Sequence, residues 1–116
     1  MIKKSSELKA TVNQNMRDGE GSIIIQNIAD KTEMHDKARL FARIIIKPGC
    51  SIGYHTHENE SETYYILSGT ASYDDNGTQT ELSPGDVTIT PAGQGHAIAN
   101  KGTEDVELIA LIVLRN

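Results

Sequence analysis

The chain has few of the residues that are typical of disulfide-bonded secreted proteins or of membrane proteins. It contains no tryptophan, one phenylalanine and one cysteine in 116 residues. The lone cysteine, Cys50, cannot form an intrachain disulfide, so we expect a reducing, cytoplasmic location and interpret Cys50 as a small loop residue. No apolar run approaches the roughly 20 residues of a membrane-spanning helix. The first nine residues lack the apolar core of a secretory signal.

Basic residues are also sparse. Eleven Lys and Arg stand against 16 Asp and Glu, which gives a formal net charge of −5, and the basic residues form no cluster. This balance argues against nucleic acid and against an anionic membrane surface as partners. The length predicts one domain. Because a domain of this size buries only about two-thirds of its unfolded surface, we expect a homodimer.

Short β-rich segments separated by turn residues fill most of the chain, and no segment has the pattern of an amphipathic helix. This pattern predicts an all-β, single-domain barrel over residues 22–116, preceded by a polar N-terminal arm over residues 1–21. His35 falls in a charged segment, 30–37, that we interpret as a solvated surface loop. Strands are predicted over residues 23–29, 40–47, 63–67, 70–73, 78–82, 87–90 and 105–114.

Two strands carry apolar residues on both faces. They include Ile23–Ile28 and, in the last strand Asp105–Leu114, the run Leu108–Val113. Such runs predict burial on both faces. We therefore expect the outer face of one sheet to pack against a second subunit. Asn76-Gly77 predicts a tight hairpin, because both residues tolerate positive φ.

Three histidines and a glutamate carry most of the chemical information. His55 and His57 alternate along a strand and so share a face. The polar residues 58–61 predict a hairpin that returns Glu62 beside them. His96 follows a Pro-Ala-Gly turn and starts another short strand, so it can face the same interior. Three imidazoles and one carboxylate suit a divalent first-row transition metal.

Four protein ligands on a six-coordinate ion would leave two positions open. One carboxylate and three neutral imidazoles around a divalent cation leave a net charge of about +1. This charge favours an anionic or enolisable small molecule as the ligand. The ion could polarise a bound oxygen or orient the reacting groups.

Both segments that contain these residues resemble the two motifs of the cupin family. The first is a glycine, five residues, His-X-His, four residues, Glu, six residues and a glycine, from Gly49 to Gly69. The second is a glycine, five residues, Pro-X-Gly, two residues, His, three residues and Asn, from Gly85 to Asn100. Every fixed position is occupied. The resemblance is to small single-domain bacterial cupins related to oxalate-decarboxylase-like cupins.

The resemblance implies a jelly-roll β-barrel. It also implies one divalent transition metal per chain, such as manganese, iron, nickel or zinc, at His55, His57, Glu62 and His96. The function it implies is a metal-dependent enzyme of the decarboxylase, dioxygenase or isomerase type, acting on a small anionic or enolisable substrate. The alternative is a non-catalytic protein that binds or senses a small carboxylate or a sugar.

The residues around the four ligands leave the reaction open. Strand parity places Tyr64 on the face of Glu62, where it is a candidate to contact a ligand, although a barrel-filling role fits it as well. Oxalate decarboxylases of the two-barrel kind carry an arginine three residues before the first histidine, where this chain has Ile52. Ile52 instead predicts a mostly hydrophobic pocket, together with Ile44, Ile46, Ile66 and Ile98. Asn100 is expected to bond nearby backbone.

Overall fold

The computed structural model describes residues 1–115 and consists of ten strands and two short 3-10 turns, with no α-helix in that range. The turns cover Ser5–Glu7 and Met16–Asp18. The strands are β1 Ala10–Gln14, β2 Ser22–Ala29, β3 Ala38–Ile46, β4 Ser51–Thr56, β5 Glu60–Ser68, β6 Ala71–Asp75, β7 Thr78–Leu82, β8 Val87–Thr90, β9 Gly95–Ala99 and β10 Val106–Leu114.

The strands form two antiparallel sheets that enclose one core. The larger sheet has the order β1-β2-β3-β10-β5-β8, and the smaller has the order β4-β9-β6-β7. Every second residue of the central strands β3 and β10 is buried between the sheets. The all-β jelly-roll prediction is confirmed. The core residues from the two sheets include Ile23, Ala42, Ile44, Ile46, Ile52, Ile66, Tyr73, Ile98, Val106, Leu108 and Ala110.

The predicted hairpin between His57 and Glu62 is wrong. β4 belongs to the smaller sheet and β5 to the larger one, so the three residues between them, 57–59, cross from one sheet to the other. Glu62 pairs with Thr90 of β8 and Ile112 of β10 instead of with β4. The length of a polar connector does not reveal whether its flanking strands pair with each other. Glu62 nevertheless reaches the histidines, because the inner faces of the two sheets oppose each other.

The segment predicted as an N-terminal arm contains a strand. β1 pairs with β2 in antiparallel register, from Ala10 opposite Gln26 to Gln14 opposite Ser22. It lies at the edge of the larger sheet, where polar side chains are tolerated because one side of the strand faces solvent. The loop interpretation of residues 30–37 is confirmed, and His35 is exposed.

The outer face of the larger sheet is only partly covered within one chain. β10 buries alternate residues, while Ile109 and Leu111 are half-buried and Val113 is exposed. Within one chain the outer face of β10 is therefore only half covered, and burial of both faces of this strand stays a prediction that depends on a second subunit. Asn76 and Gly77 both have positive φ, at 49° and 101°, and form the predicted hairpin between β6 and β7. Over residues 1–115, no helix is long and apolar enough to cross a membrane.

Candidate metal centre

The four predicted ligands meet between the two sheets. His55 lies near the end of β4 and pairs with His96 of β9, while His57 follows β4 directly and Glu62 lies on β5. Each residue offers one ligand atom, and these four atoms lie within 4.8 Å of one another. Three of the four residues are buried, and the fourth, His55, is half-buried.

The distances between these atoms fit adjacent positions around one ion. Glu62 Oε1 lies 2.9 Å from His96 Nε2, 3.0 Å from His57 Nε2 and 3.9 Å from His55 Nε2. His96 Nε2 lies 3.1 Å from the Nε2 of His57 and 3.2 Å from that of His55. Two ligands that are each about 2.1 Å from an ion and 90° apart are about 3.0 Å from each other. The donor set therefore fits a small divalent cation.

The other ring nitrogen of each histidine is already hydrogen-bonded. His55 Nδ1 donates to the carbonyl oxygen of Gly53 at 2.8 Å, and His57 Nδ1 donates to Glu60 Oε2 at 2.6 Å. His96 Nδ1 lies 2.7 Å from the Tyr73 hydroxyl and 3.0 Å from that of Thr90. When Nδ1 carries the proton, Nε2 keeps its lone pair free for a metal. In that tautomer three lone pairs face one point beside Glu62, an arrangement that suits a cation.

A chain of charged groups holds His57 in place. Arg39 Nε and Nη2 donate to the two oxygens of Glu60 at 2.6 and 2.7 Å, and Glu60 in turn accepts from His57. The Arg39 guanidinium, with help from His57, lowers the pKa of Glu60 to about 2, so this carboxylate stays ionised. Carboxylates that bind the remote nitrogen of a metal-ligating histidine fix its orientation and increase its basicity.

Burial and hydrogen bonding shift the pKa values of the ligand residues in opposite directions. Burial acts to raise the pKa of Glu62, but hydrogen bonds with the three histidines outweigh it and hold that pKa well below its usual range. The hydrogen bond to Glu62 raises the pKa of His57, whereas burial lowers the pKa of His96. A cation at the centre would replace any proton that His57 carries, so binding of a metal should release protons.

Tyr64 is buried beside the ligands, as strand parity predicted. It is 2% exposed, and its ring stacks on that of His96 with centroids 5.0 Å apart. Burial, followed by the negative charge of Glu62, raises the pKa of Tyr64 well above its usual value. The phenol therefore stays protonated and can act as a hydrogen-bond donor.

A cavity of about 210 Å³ adjoins His55, His57 and Glu62. Ile44 and Ile52 line it, as predicted, while the other three isoleucines of the predicted pocket are absent from its wall. The rest of the lining comes from Asn13, Met16, Arg17, Ile25, Arg39, Leu40, Tyr64 and Ile112. The cavity is therefore mainly apolar but carries two guanidinium groups.

Comparison with known proteins places the chain in a family. The model of the Cupin domain matches residues 42–112. The chain belongs to the cupin family. An oxalate-binding protein of Thermotoga maritima is 44% identical to this cupin over 114 residues, which cover 98% of this chain and 94% of the relative.

Solved structures agree with this assignment. The crystal structure of a predicted oxalate decarboxylase from Thermotoga maritima superposes on this cupin with a TM-score of 0.94 at 44% identity, covering 98% of this chain and 99% of the other. The structure of KdgF from Halomonas sp. shares the fold, with a TM-score of 0.78 at 18% identity over 97% of this chain and 94% of that one.

Several residues around this cupin centre were not predicted from the sequence. Tyr73, Thr90 and Arg39 contact the ligands or their partners, and Arg17 reaches the cavity from the segment predicted as an arm. Strand parity could have indicated Tyr73 and Thr90, which point inward beside His96. The two arginines had no such indication, because their positions depend on how the strands are ordered in the sheets. Asn100 has the predicted role: its side-chain amide donates to the backbone carbonyls of Ile46 and Glu104 at 2.8 and 2.7 Å.

Proposed function

We propose that this cupin holds one divalent transition metal at His55, His57, Glu62 and His96 and binds a small carboxylate at that metal. The observation that carries the proposal is that the Nδ1 atom of each of the three histidines is hydrogen-bonded to a residue outside the ligand group. Each histidine is thereby held with Nε2 towards a common point beside Glu62. Among divalent metals we propose manganese first, since a carboxylate in the ligand set suits a harder ion.

The expected ligand is small and anionic. With three neutral imidazoles and one carboxylate, a divalent ion keeps a charge of about +1 that an anion can neutralise. The cavity of about 210 Å³ is small enough to favour a ligand of a few heavy atoms. A relative that is 44% identical is an oxalate-binding protein, so oxalate is the first ligand to test.

The cavity supports binding more directly than turnover. Among residues 1–115, its wall contains no histidine or carboxylate besides the proposed ligands. The carboxylate of Glu60, which contacts His57, is engaged by both Arg39 and His57. A general acid or base would need a free group within hydrogen-bond reach of the ligand. Apart from Arg17 and Arg39, the remaining titratable side chain of this wall within residues 1–115 is Tyr64, and burial raises the pKa of its phenol, which stays protonated.

An enzyme of the decarboxylase, dioxygenase or isomerase type is the second candidate. It is favoured by the likeness to a predicted oxalate decarboxylase. The metal itself would supply Lewis-acid chemistry in such a reaction. Tyr64 would donate a hydrogen bond to the substrate. Incubation of the metal-loaded protein with oxalate, followed by analysis for formate and carbon dioxide, separates the two candidates: product at many equivalents per chain favours the enzyme.

The metal site itself is tested with one variant and one control. His96→Ala removes a ligand from a buried strand, whereas His35→Ala removes an exposed histidine from a loop. We expect about one metal ion per chain in the wild type and in His35→Ala, and a sharp loss in His96→Ala. Elemental analysis of protein purified without chelators measures this. Full metal content in a folded His96→Ala variant would contradict the four-ligand site.

We also propose that the protein is a homodimer. Four apolar side chains on the outer face of β5 and β8 are between 43% and 64% exposed: Tyr65, Leu67, Val87 and Ile89. These strands are neighbours in the sheet, and β10 adds Val113. Several exposed apolar side chains on one face of a sheet are typical of an interface. Light scattering coupled to size-exclusion chromatography should give twice the chain mass, and a monomer would refute the proposal.

The lone free Cys50 supports a cytoplasmic location.

A further inference from the structure

The segment Asn15–Gly19, between β1 and β2, forms part of the cavity wall. Met16 and Arg17 line the cavity together with three of the proposed metal ligands. Asn15, Arg17 and Asp18 all have positive φ, at 47°, 54° and 64°. Left-handed backbone at a residue other than glycine is unfavourable and persists only where surrounding contacts enforce it. Three such residues within four positions therefore indicate that the segment is held in a required shape.

Two glycines provide the contacts that enforce this shape. Gly19 and Gly53 of β4 meet backbone to backbone, and neither has room for a Cβ. A Cβ on Gly53 would overlap the carbonyl oxygen of Arg17, and one on Gly19 would overlap the carbonyl oxygen of Ser51. Glu20 and Ser51 add two hydrogen bonds of 2.8 Å each across the same contact.

Gly53 also accepts the hydrogen bond from His55 Nδ1. One residue of β4 therefore orients a proposed metal ligand and supports the backbone of Arg17. The position of Arg17 relative to His55 is consequently set by short contacts within the backbone. Because the backbone of this segment is already ordered, its ordering adds little to the entropy cost of binding a ligand.

The two arginines of the cavity wall differ in their side-chain hydrogen bonds. Arg39 is held by Glu60 through two hydrogen bonds. Arg17 makes no side-chain hydrogen bond or ion pair with any residue in the range 1–115. Its positive charge still acts on Tyr64, a buried residue that lines the same cavity. Of the two arginines in the cavity wall, Arg17 is therefore the one whose side-chain donors are available to a ligand.

We propose that Arg17 is a specificity-determining residue that recognises the carboxylate oxygens of a small dicarboxylate that the metal does not bind. This inference rests on the proposed function of the site. A guanidinium presents paired donors that match a carboxylate, and such charge-assisted bonds are stronger than neutral ones. A monocarboxylate would leave Arg17 without a partner. Arg17 would therefore provide the guanidinium that β4 lacks, because β4 has Ile52 where two-barrel oxalate decarboxylases have an arginine.

The test compares oxalate with acetate by isothermal titration calorimetry on manganese-loaded protein. Arg17→Gln should weaken oxalate binding by about 10- to 100-fold, the range expected for lost hydrogen bonds to a charged group. Acetate binding should change by less than about threefold, and metal content should stay at the wild-type level. Arg17→Lys, which keeps the charge but lacks the paired donors, should fall between wild type and Arg17→Gln. Lys31→Gln removes one positive charge from an exposed loop and should match the wild type.

The outcomes separate this inference from the function on which it rests. Unchanged oxalate affinity in Arg17→Gln, or an equal loss for oxalate and acetate, would overturn the role of Arg17 and leave the proposed function standing. A wild-type protein that holds metal but binds neither anion would overturn both. Loss of metal from Arg17→Gln would also overturn the inference, because Arg17 would then support the metal centre instead of recognising its ligand.

Discussion

Glu60 should control metal affinity without touching the metal. Its carboxylate accepts from His57 Nδ1 at 2.6 Å and is itself held by Arg39. Glu60→Ala removes the group that orients the His57 ring and increases its basicity. Removal of such a partner weakens metal binding by about 10- to 100-fold, or about 1.4 to 2.7 kcal/mol. Competition between the protein and a fluorescent manganese chelator measures this change.

The chain supplies a matched control for this experiment. Glu58 lies two residues away in the same region, is exposed and forms no ion pair with any residue in 1–115. Glu58→Ala removes the same charge and should leave metal affinity within about twofold of wild type, since an exposed charge is largely screened. Glu60→Gln keeps an acceptor for His57 and should have an intermediate affinity. Equal losses in both alanine variants, or no loss in either, would refute the orientation argument.

Two further predictions concern the stability of the barrel. Ile98→Ala creates a cavity between the sheets, because Ile98 is 1% exposed, and should lower the free energy of unfolding by about 2–5 kcal/mol in urea titrations; a loss below about 1 kcal/mol would contradict the packing described here. Asn100→Ala removes both amide hydrogen bonds to backbone carbonyls and should cost about 1–3 kcal/mol. Asn27→Ala, at an exposed position, should cost less than about 0.5 kcal/mol.

The strands and the ligand group could be predicted because both depend on local pattern. Alternation along β3 puts Ala42, Ile44 and Ile46 on one face, and all three are buried. The four proposed ligands were found from their spacing and from the cupin motifs. Side-chain parity within each strand indicates which way a residue points, and the two cupin motifs relate the four ligands to one another although they lie on different strands.

The arrangement of strands into sheets could not be predicted in the same way. The connector after His57 is as short and polar as a hairpin loop, yet it joins different sheets. The strand Ala10–Gln14 has few apolar residues, so only its pairing with β2 reveals it. Arg17 and Arg39 reach the cavity through these non-local pairings. The sequence predicted a mostly hydrophobic pocket and gave no sign of these two arginines, because their positions depend on the topology.

The origin of the ligands in two different sheets has a consequence for folding. His55 and His96 belong to the smaller sheet and Glu62 to the larger one. An ion bound by all three would act as a non-covalent cross-link between the sheets, and its binding free energy would add to the cohesion of the barrel. By reciprocity, any substitution that lets the sheets separate locally would weaken metal binding, even far from the histidines. Metal affinity would then report how firmly the two halves of the barrel stay together.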